Sequence, residues 1–254
     1  MLEIKKVNEI PVPKTFLFYG KSGTGKTTLS GTFPKPLFLD INENGTASVD
    51  NKDAQVISIK SYGDFNDFIL NIDEYYEKIK WGTLIIDTIG KLQELNLNYL
   101  SKGGKIVINH YGDSTNELQQ VILKLISHSM QYDYYLIFNA HERDNTEVAE
   151  DTGEVLNPSV MAQLTPKLSE WLHATVSLAG HTRISEIKNE LGEVKALRYC
   201  IKVGADPIFK TKVRVPKEKM KTSLIPNPTC EKLMAILDGT YEEKYKNKKK
   251  EGNN

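Results

Sequence analysis

Cysteine is scarce. The 254 residues contain two, Cys200 and Cys230, which excludes a disulfide framework and any thiolate metal cluster and fits a reducing compartment. Net charge is absent too: 33 basic and 33 acidic residues cancel. No global field draws this chain onto nucleic acid, so any such binding must come from a local patch. No stretch approaches the ~20 apolar residues of a membrane span, and no membrane partner is expected. Met1-Leu2-Glu3-Ile4-Lys5-Lys6 is followed by no apolar core, so we expect no signal peptide and a cytoplasmic location. Internal repeats are lacking. What is present, 39% hydrophobic and 26% charged residues, describes a globular chain long enough for one large domain or two small ones.

Residues 20–27 read Gly20-Lys21-Ser22-Gly23-Thr24-Gly25-Lys26-Thr27 and fit the phosphate-binding pattern G-x-x-x-x-G-K-[ST] at every fixed position. Glycines let backbone N–H groups wrap the phosphates of a nucleoside triphosphate without side-chain clash. Lys26 can reach the β- and γ-phosphates, the Thr27 hydroxyl can ligate Mg²⁺, and Thr28 completes the contact set. Phe16-Leu17-Phe18-Tyr19 before the loop reads as a buried strand. Thr27-Thr28-Leu29-Ser30 after it reads as a short helix that Pro34 must end.

Beyond the loop, apolar runs alternate with helical spacing. Leu37-Phe38-Leu39, Val56–Ile59, Leu84–Ile86 and Tyr135–Phe138 are strand candidates. Phe65, Phe68, Ile69, Ile72, Tyr76 and Ile79 recur as on one helical stretch, and Leu118, Val121, Ile122, Leu125 and Ile126 as on another. That pattern predicts an α/β fold with a mostly parallel central sheet flanked by helices. Residues 144–158, with Asp151-Thr152-Gly153-Glu154, predict a hairpin or mobile loop. Residues 174–215 read as antiparallel β segments turning at Leu191-Gly192-Glu193, a C-terminal extension of the same sheet. A last helix is expected near 228–238. We expect one domain over 1–240 and a lysine-rich tail from Tyr241 without fixed structure.

Thr83-Leu84-Ile85-Ile86-Asp87-Thr88 supplies a second part of a nucleotide site. An apolar strand ending in Asp87 puts a carboxylate beside the phosphate loop, where it can support Mg²⁺. A plain helix-capping Asp is the alternative. Many nucleotide hydrolases carry Glu directly after this Asp, and here the position is Thr88. A water-activating carboxylate must then come from Asp40-Ile41-Asn42-Glu43, with Glu43 as candidate base and Asp40 as competitor. Asp87-Thr88-Ile89-Gly90 also matches the D-x-x-G of GTP switch proteins, but no guanine-recognition Asn-Lys-x-Asp lies downstream.

Taken together, "FLFYGKSGTGKTTLSGTFPKPLFLD", a Glu-x-Gly element at 43–45, "TLIIDT", "YLIFNAHERD" and "KTKVR" resemble the RecA-type recombinase core. They are most similar to phage-encoded RecA-like ATPases of the single-strand annealing group, over roughly 10–216. The resemblance implies a RecA-like P-loop core, ATP and Mg²⁺ as cofactors, and slow, DNA-stimulated ATP hydrolysis. It implies a phage protein in a bacterial host cytoplasm that works as a ring or filament on single-stranded DNA, with a single-strand-binding protein as a further partner. Glu43 would be the base, with its register against Asn42 open. His141, at the end of the Tyr135–Ala140 strand, would sense the γ-phosphate. Lys212 and Arg214 would reach across a protomer interface like an arginine finger, and their i, i+2 spacing puts both on one strand face with Lys210. An exposed strand edge defended by lysines is the plain alternative.

Two segments are candidates for DNA contact. Residues 101–113 hold Lys102, Lys105, His110 and Tyr111 among glycines, cations for phosphates beside an aromatic stacking face. Residues 142–163 are acidic except for Arg143. A second class of function also fits: a nucleotide-gated module that hydrolyses little and regulates a protein partner. A small-molecule kinase is a third, though no arginine-rich lid is evident.

Overall fold

Strands that run apolar without alternation need cover on both faces, and β1 (Thr15–Tyr19) is buried along its whole length. The computed structural model describes residues 6, 12–42, 44–148, 151–152, 155–189, 191–215 and 222–245. After β1 come α1 (Lys26–Ser30), β2 (Pro36–Asp40), a 3-10 turn (Gly45–Ser48), β3 (Gln55–Ser58), α2 (Tyr62–Leu70) and α3 (Ile72–Ile79). β4 (Thr83–Asp87), α4 (Ile89–Leu100), α5 (Ile108–Gln131) and β5 (Tyr135–Ala140) complete the first half. Short strands β6 (Glu142–Asp144), β7 (Glu147–Val148), β8 (Val155–Asn157) and β9 (Val160–Ala162) precede α6 (Pro166–Thr175). Then follow β10 (Leu178–Lys188), β11 (Val194–Lys202), β12 (Lys212–Val213), β13 (Leu224–Pro226), α7 (Cys230–Leu237) and α8 (Tyr241–Tyr245).

One mixed sheet runs β13-β11-β10-β1-β5-β4-β2-β3, with β12 on β10. From β10 to β3 every pairing is parallel. β11, β12 and β13 pair antiparallel, as the C-terminal extension expected from sequence. Alternate β1 side chains serve two cores. Leu17 and Tyr19 pack with residues of α2 to α6, among them Phe65, Leu92, Leu118 and Leu168. Phe16 and Phe18 pack with Leu29 of α1 and Leu233 and Ile236 of α7. Helices thus cover both faces, while β1, β2, β4 and β5 end together at one edge, where Asp40 pairs in register with Asp87 and Asp87 with Asn139.

Three expectations change. The apolar spacing over 65–79 belongs to two helices, because Asn71 leaves helical geometry (φ −106°, ψ 21°). Its amide donates to the Asp67 carbonyl and carboxylate, both at 3.0 Å, a side-chain bond that competes with the helix ladder. Helix α5 starts at Ile108, so His110 and Tyr111 are helical and only residues 101–107 form the connection from α4. Its first two turns are too polar to reveal a helix by apolar period. The tail expected to lack structure begins with helix α8, whose first residue, Tyr241, is buried in the cluster that holds Leu233 and Ile236 of α7. The β7–β8 hairpin and the turn at Gly192 (φ 83°) fall where expected, while Gly153 and Glu154 lie outside the described residues.

Candidate nucleotide site

The phosphate loop links the C-terminal end of β1 to α1, and two glycine positions show why its sequence is constrained. A Cβ on Gly20 would stand 2.4 Å from the Thr182 carbonyl of β10, so only glycine allows the approach. Gly25 has φ 88°, in the left-handed region, and a Cβ there would also meet the Tyr199 ring at 3.0 Å. Thr182 fixes the loop further: its hydroxyl donates to the Tyr19 carbonyl at 3.2 Å and lies 2.8 Å from the Thr24 hydroxyl. Lys26 is buried, and its ammonium donates to the carbonyls of Gly20 (3.0 Å) and Lys21 (2.9 Å) across the loop. Lys21, Ser22 and Gly23 are exposed on the rim.

Thr27 and Asp87 meet as the sequence predicts. The Thr27 hydroxyl donates to Asp87 Oδ2 at 2.9 Å. Burial pushes the Asp87 carboxyl above its ordinary range, with Asp40 adding in the same direction; the Thr27 and Asn139 hydrogen bonds and Lys26 act against it. Burial is the largest cause, as expected for a carboxylate only 3% exposed. Hydroxyl and carboxylate oxygens suit Mg²⁺, which takes few protein ligands and shares the rest with phosphate and water. Among the described residues no group of three or more His, Cys, Asp or Glu could hold a metal alone, so the donor set fits a nucleotide-borne Mg²⁺ rather than a closed cage.

Glu43 lies outside the described residues. Its neighbour Asn44 donates its N–H to Asp40 Oδ1 at 3.1 Å, so the buried Asp40 carboxylate helps close this turn. A Cβ on Gly45 would stand 3.4 Å from the Thr27 hydroxyl and 3.9 Å from Asp87 Oδ2. The segment after β2 therefore returns to the Thr27–Asp87 corner. Thr88 is buried and caps α4, its hydroxyl accepting the Lys91 N–H at 3.4 Å.

Gly25, Lys26, Thr27, Gly45, Asp87 and Thr88 line a pocket of about 310 Å³, whose walls also include Thr28, Ser48, His141 and Tyr199. His141 thus stands at the site, where its position at the end of β5 predicts. A second pocket of about 390 Å³ shares Ser22, Thr88 and His141 with it. Through Gly90, Glu94 and Gln163 that pocket reaches a third, of about 650 Å³. Tyr111 and Arg143 line this third space, which adjoins the second through those three shared residues.

The other proposed DNA contacts are elsewhere. Lys102 and Lys105 are exposed in the α4–α5 connection. His110 accepts the Val107 N–H on Nδ1 at 3.2 Å, a local bond at the start of α5. Arg143 donates to the Leu164 carbonyl (3.0 Å) and to Asn145 Oδ1 (2.7 Å), so part of its fork already holds its own chain.

Lys212 and Arg214 are not brought to the phosphate loop of their own chain. β12 pairs with Leu178 and Ala179, at the start of β10 beside the start of β1, whereas the phosphate loop follows the other end of β1. There Lys212 donates to the carbonyls of His173 (3.2 Å) and Ala174. Arg214 donates to those of Ala174 and Thr175, both at 3.0 Å, so both cations cap the C-terminus of α6. Lys210 contacts the same helix, its ammonium 3.2 Å from Glu170 Oε1. The shared face follows from the spacing; the helix it meets does not.

Sequence reasoning missed Thr182, Ser48, Asn139 and Tyr199. Each lies outside the loop's own motif, and Thr182 stands 158 residues from its partner Thr24. Only the β1–β10 register could have found it. Residues 13–215 match the model of a family described as an AAA domain. No curated protein matches the chain.

Proposed function

The chain belongs to the AAA-domain family, and on that premise we propose that this P-loop ATPase domain uses ATP and Mg²⁺ to bind single-stranded DNA as a homo-oligomer and promote strand annealing. The observation that carries the nucleotide half is the Thr27–Asp87 contact, 2.9 Å, at the mouth of a loop holding the buried Lys26. Backbone N–H groups of residues 22–27 bind the phosphates. Lys26 exchanges its loop carbonyls for phosphate oxygens and offsets their charge. Thr27 and Asp87 would hold Mg²⁺, which would supply positive charge against the triphosphate. Glu43, one residue before Asn44, activates the water, and His141, which lines the same pocket as Lys26 and Thr27, hydrogen-bonds the γ-phosphate end.

The DNA half is supported by the resemblance to recombinase cores and by the adjoining pockets that run from His141 to Tyr111 and Arg143. A ligand that spans both pockets would touch the same histidine that borders the nucleotide pocket, which gives it a route to turnover. The phage affiliation rests on the resemblance alone. One observation favours the second reading, a nucleotide-gated module with little hydrolysis: the position after Asp87 is a buried helix cap, Thr88, not a water-activating carboxylate.

Turnover measured with and without single-stranded DNA decides between them. We expect DNA to bind in the presence of MgATP and to raise turnover several-fold, with both effects lost in Lys26→Ala. If DNA neither binds nor changes turnover while ATP still binds, the annealing reading fails and the gated module stands.

A further inference from the structure

The phosphate loop accounts for a triphosphate, not for what is attached to it. Tyr199 supplies the missing surface. Its ring carbons stand 3.0, 3.5 and 3.6 Å from where a Gly25 Cβ would be, so the ring packs on the loop glycine that opens α1. Among the described residues it is the one Phe, Tyr or Trp lining the nucleotide pocket, whose other ring is the His141 imidazole, and Tyr199 is 50% exposed despite that packing. The Cγ–Cδ1–Cε1 side of the ring lies against the loop, and half of the residue is open.

The surroundings are not those of a core tyrosine. Tyr199 is paired with Ile184 across the β10–β11 ladder, which puts both side chains on one face of the sheet, and Ile184 is 41% exposed. Thr28 and Ser48 line the same pocket, their hydroxyls 3.4 Å apart. The backbone under the ring is held, because the Tyr199 carbonyl accepts the Asn227 N–H at 2.7 Å. A rigid aromatic face, an apolar neighbour and two hydroxyls beside a phosphate loop are what a flat heterocycle on a sugar needs: a stacking partner and hydrogen-bonding groups at its edge.

We propose that Tyr199 is the nucleoside platform of the site, stacking the base of the bound triphosphate, with Ile184 beside it and the Thr28 and Ser48 hydroxyls facing the sugar. The assignment rests on the nucleotide reading of the phosphate loop. It also explains why position 25 must lack a side chain on a second ground: a Cβ there would lift the ring off the loop. Stacking is sequence-tolerant because every base has a π-face, so Tyr199 secures a nucleoside without choosing adenine over guanine.

The test compares MgATP with magnesium tripolyphosphate, which keeps the phosphates and lacks the nucleoside. Calorimetric titration of Tyr199→Ala should show ATP binding weakened on the order of 10- to 100-fold, the range of base–aromatic stacking. Tripolyphosphate binding should change less than about twofold, and Tyr199→Phe should bind ATP as wild type. Tyr199→Leu, which keeps bulk over Gly25 but has no π-face, should resemble Tyr199→Ala, and it carries the test if the alanine variant does not fold. Equal weakening of both ligands would reduce Tyr199 to a loop support and overturn the proposal, as would unchanged ATP affinity. If wild type binds neither ligand, the nucleotide reading fails before the platform is reached.

Discussion

Asp87, the carboxylate proposed to support Mg²⁺, opposes its own fold. Its carboxyl is buried at the end of β4 and its pKa is raised chiefly by that burial. A raised carboxyl pKa means that the folded state binds a proton more readily than the unfolded chain, so the ionised form costs stability near neutral pH. Asp87→Asn keeps the shape and removes the charge. We expect its ligand-free melting temperature at pH 7 to equal or exceed that of wild type, while ATP turnover falls on the order of 100-fold or more. Thermal scans and steady-state turnover on the same preparation check both halves, and a variant that melts earlier with turnover intact contradicts the metal-site reading. Lys26 and Thr27 were legible at the same scale because their motif is local: spacing alone places an ammonium and a hydroxyl on one loop. Thr182 and Tyr199 were not, since each reaches the loop from a strand formed more than a hundred residues later.

At the scale of elements, α6 and the strands around it form a sensitive joint. His173 on α6 is buried, and its Nε2 accepts the Ala162 N–H at 3.4 Å. Burial, with Lys210 and Lys212 adding to it, pushes its pKa down to about 4 from the ordinary 6.5. His181 on β10 shifts in the same direction, again first by burial, although Glu142 Oε2 at 2.7 Å works against it. For His173 the unfolded chain binds more protons between these two values, so stability rises with pH across that window. It is fully present above about pH 6.5 and is lost as pH falls toward about 4, an effect of about 3 kcal/mol for a shift of this size. Urea unfolding at a series of pH values should show that slope, and His173→Gln should flatten it. An unchanged slope in the variant would mean that His173 is not the group responsible. The helices themselves were legible where apolar period is strong, as in the later turns of α5, and illegible where polar residues form a helix by tertiary support, as at 108–113.

On the scale of the whole molecule, the question is what lies beyond one chain. Lys212 and Arg214 sit at the sheet end away from their own phosphate loop and cap α6. A cap of this kind contributes about 0.3–1 kcal/mol, so Arg214→Ala should lower the melting temperature only slightly. A role at a neighbour's nucleotide makes a different demand: Arg214→Ala should lose turnover, and mixing it with Lys26→Ala protomers should restore part of it. Each mixed interface can then combine one intact loop with one intact arginine. Failure to recover activity, with both variants folded and co-assembled, removes the trans role and leaves the cap.

The amino-acid sequence by itself determined the parts of this protein that short-range chemistry can specify. These are the phosphate loop, the Asp-terminated strand, the alternation of apolar runs that makes a parallel sheet, and the turn at Gly192. Tertiary structure alone decided which distant residues share the site. Strand register brings Asp40, Asp87 and Asn139 to one edge, β10 carries Thr182 onto Gly20, and β11 lays Tyr199 on Gly25. The physical reason is the range of the forces involved. Backbone conformation and helix period depend on neighbours a few residues apart, whereas a pocket wall depends on which strands pair, and pairing is settled by burying both faces of the whole sheet at once.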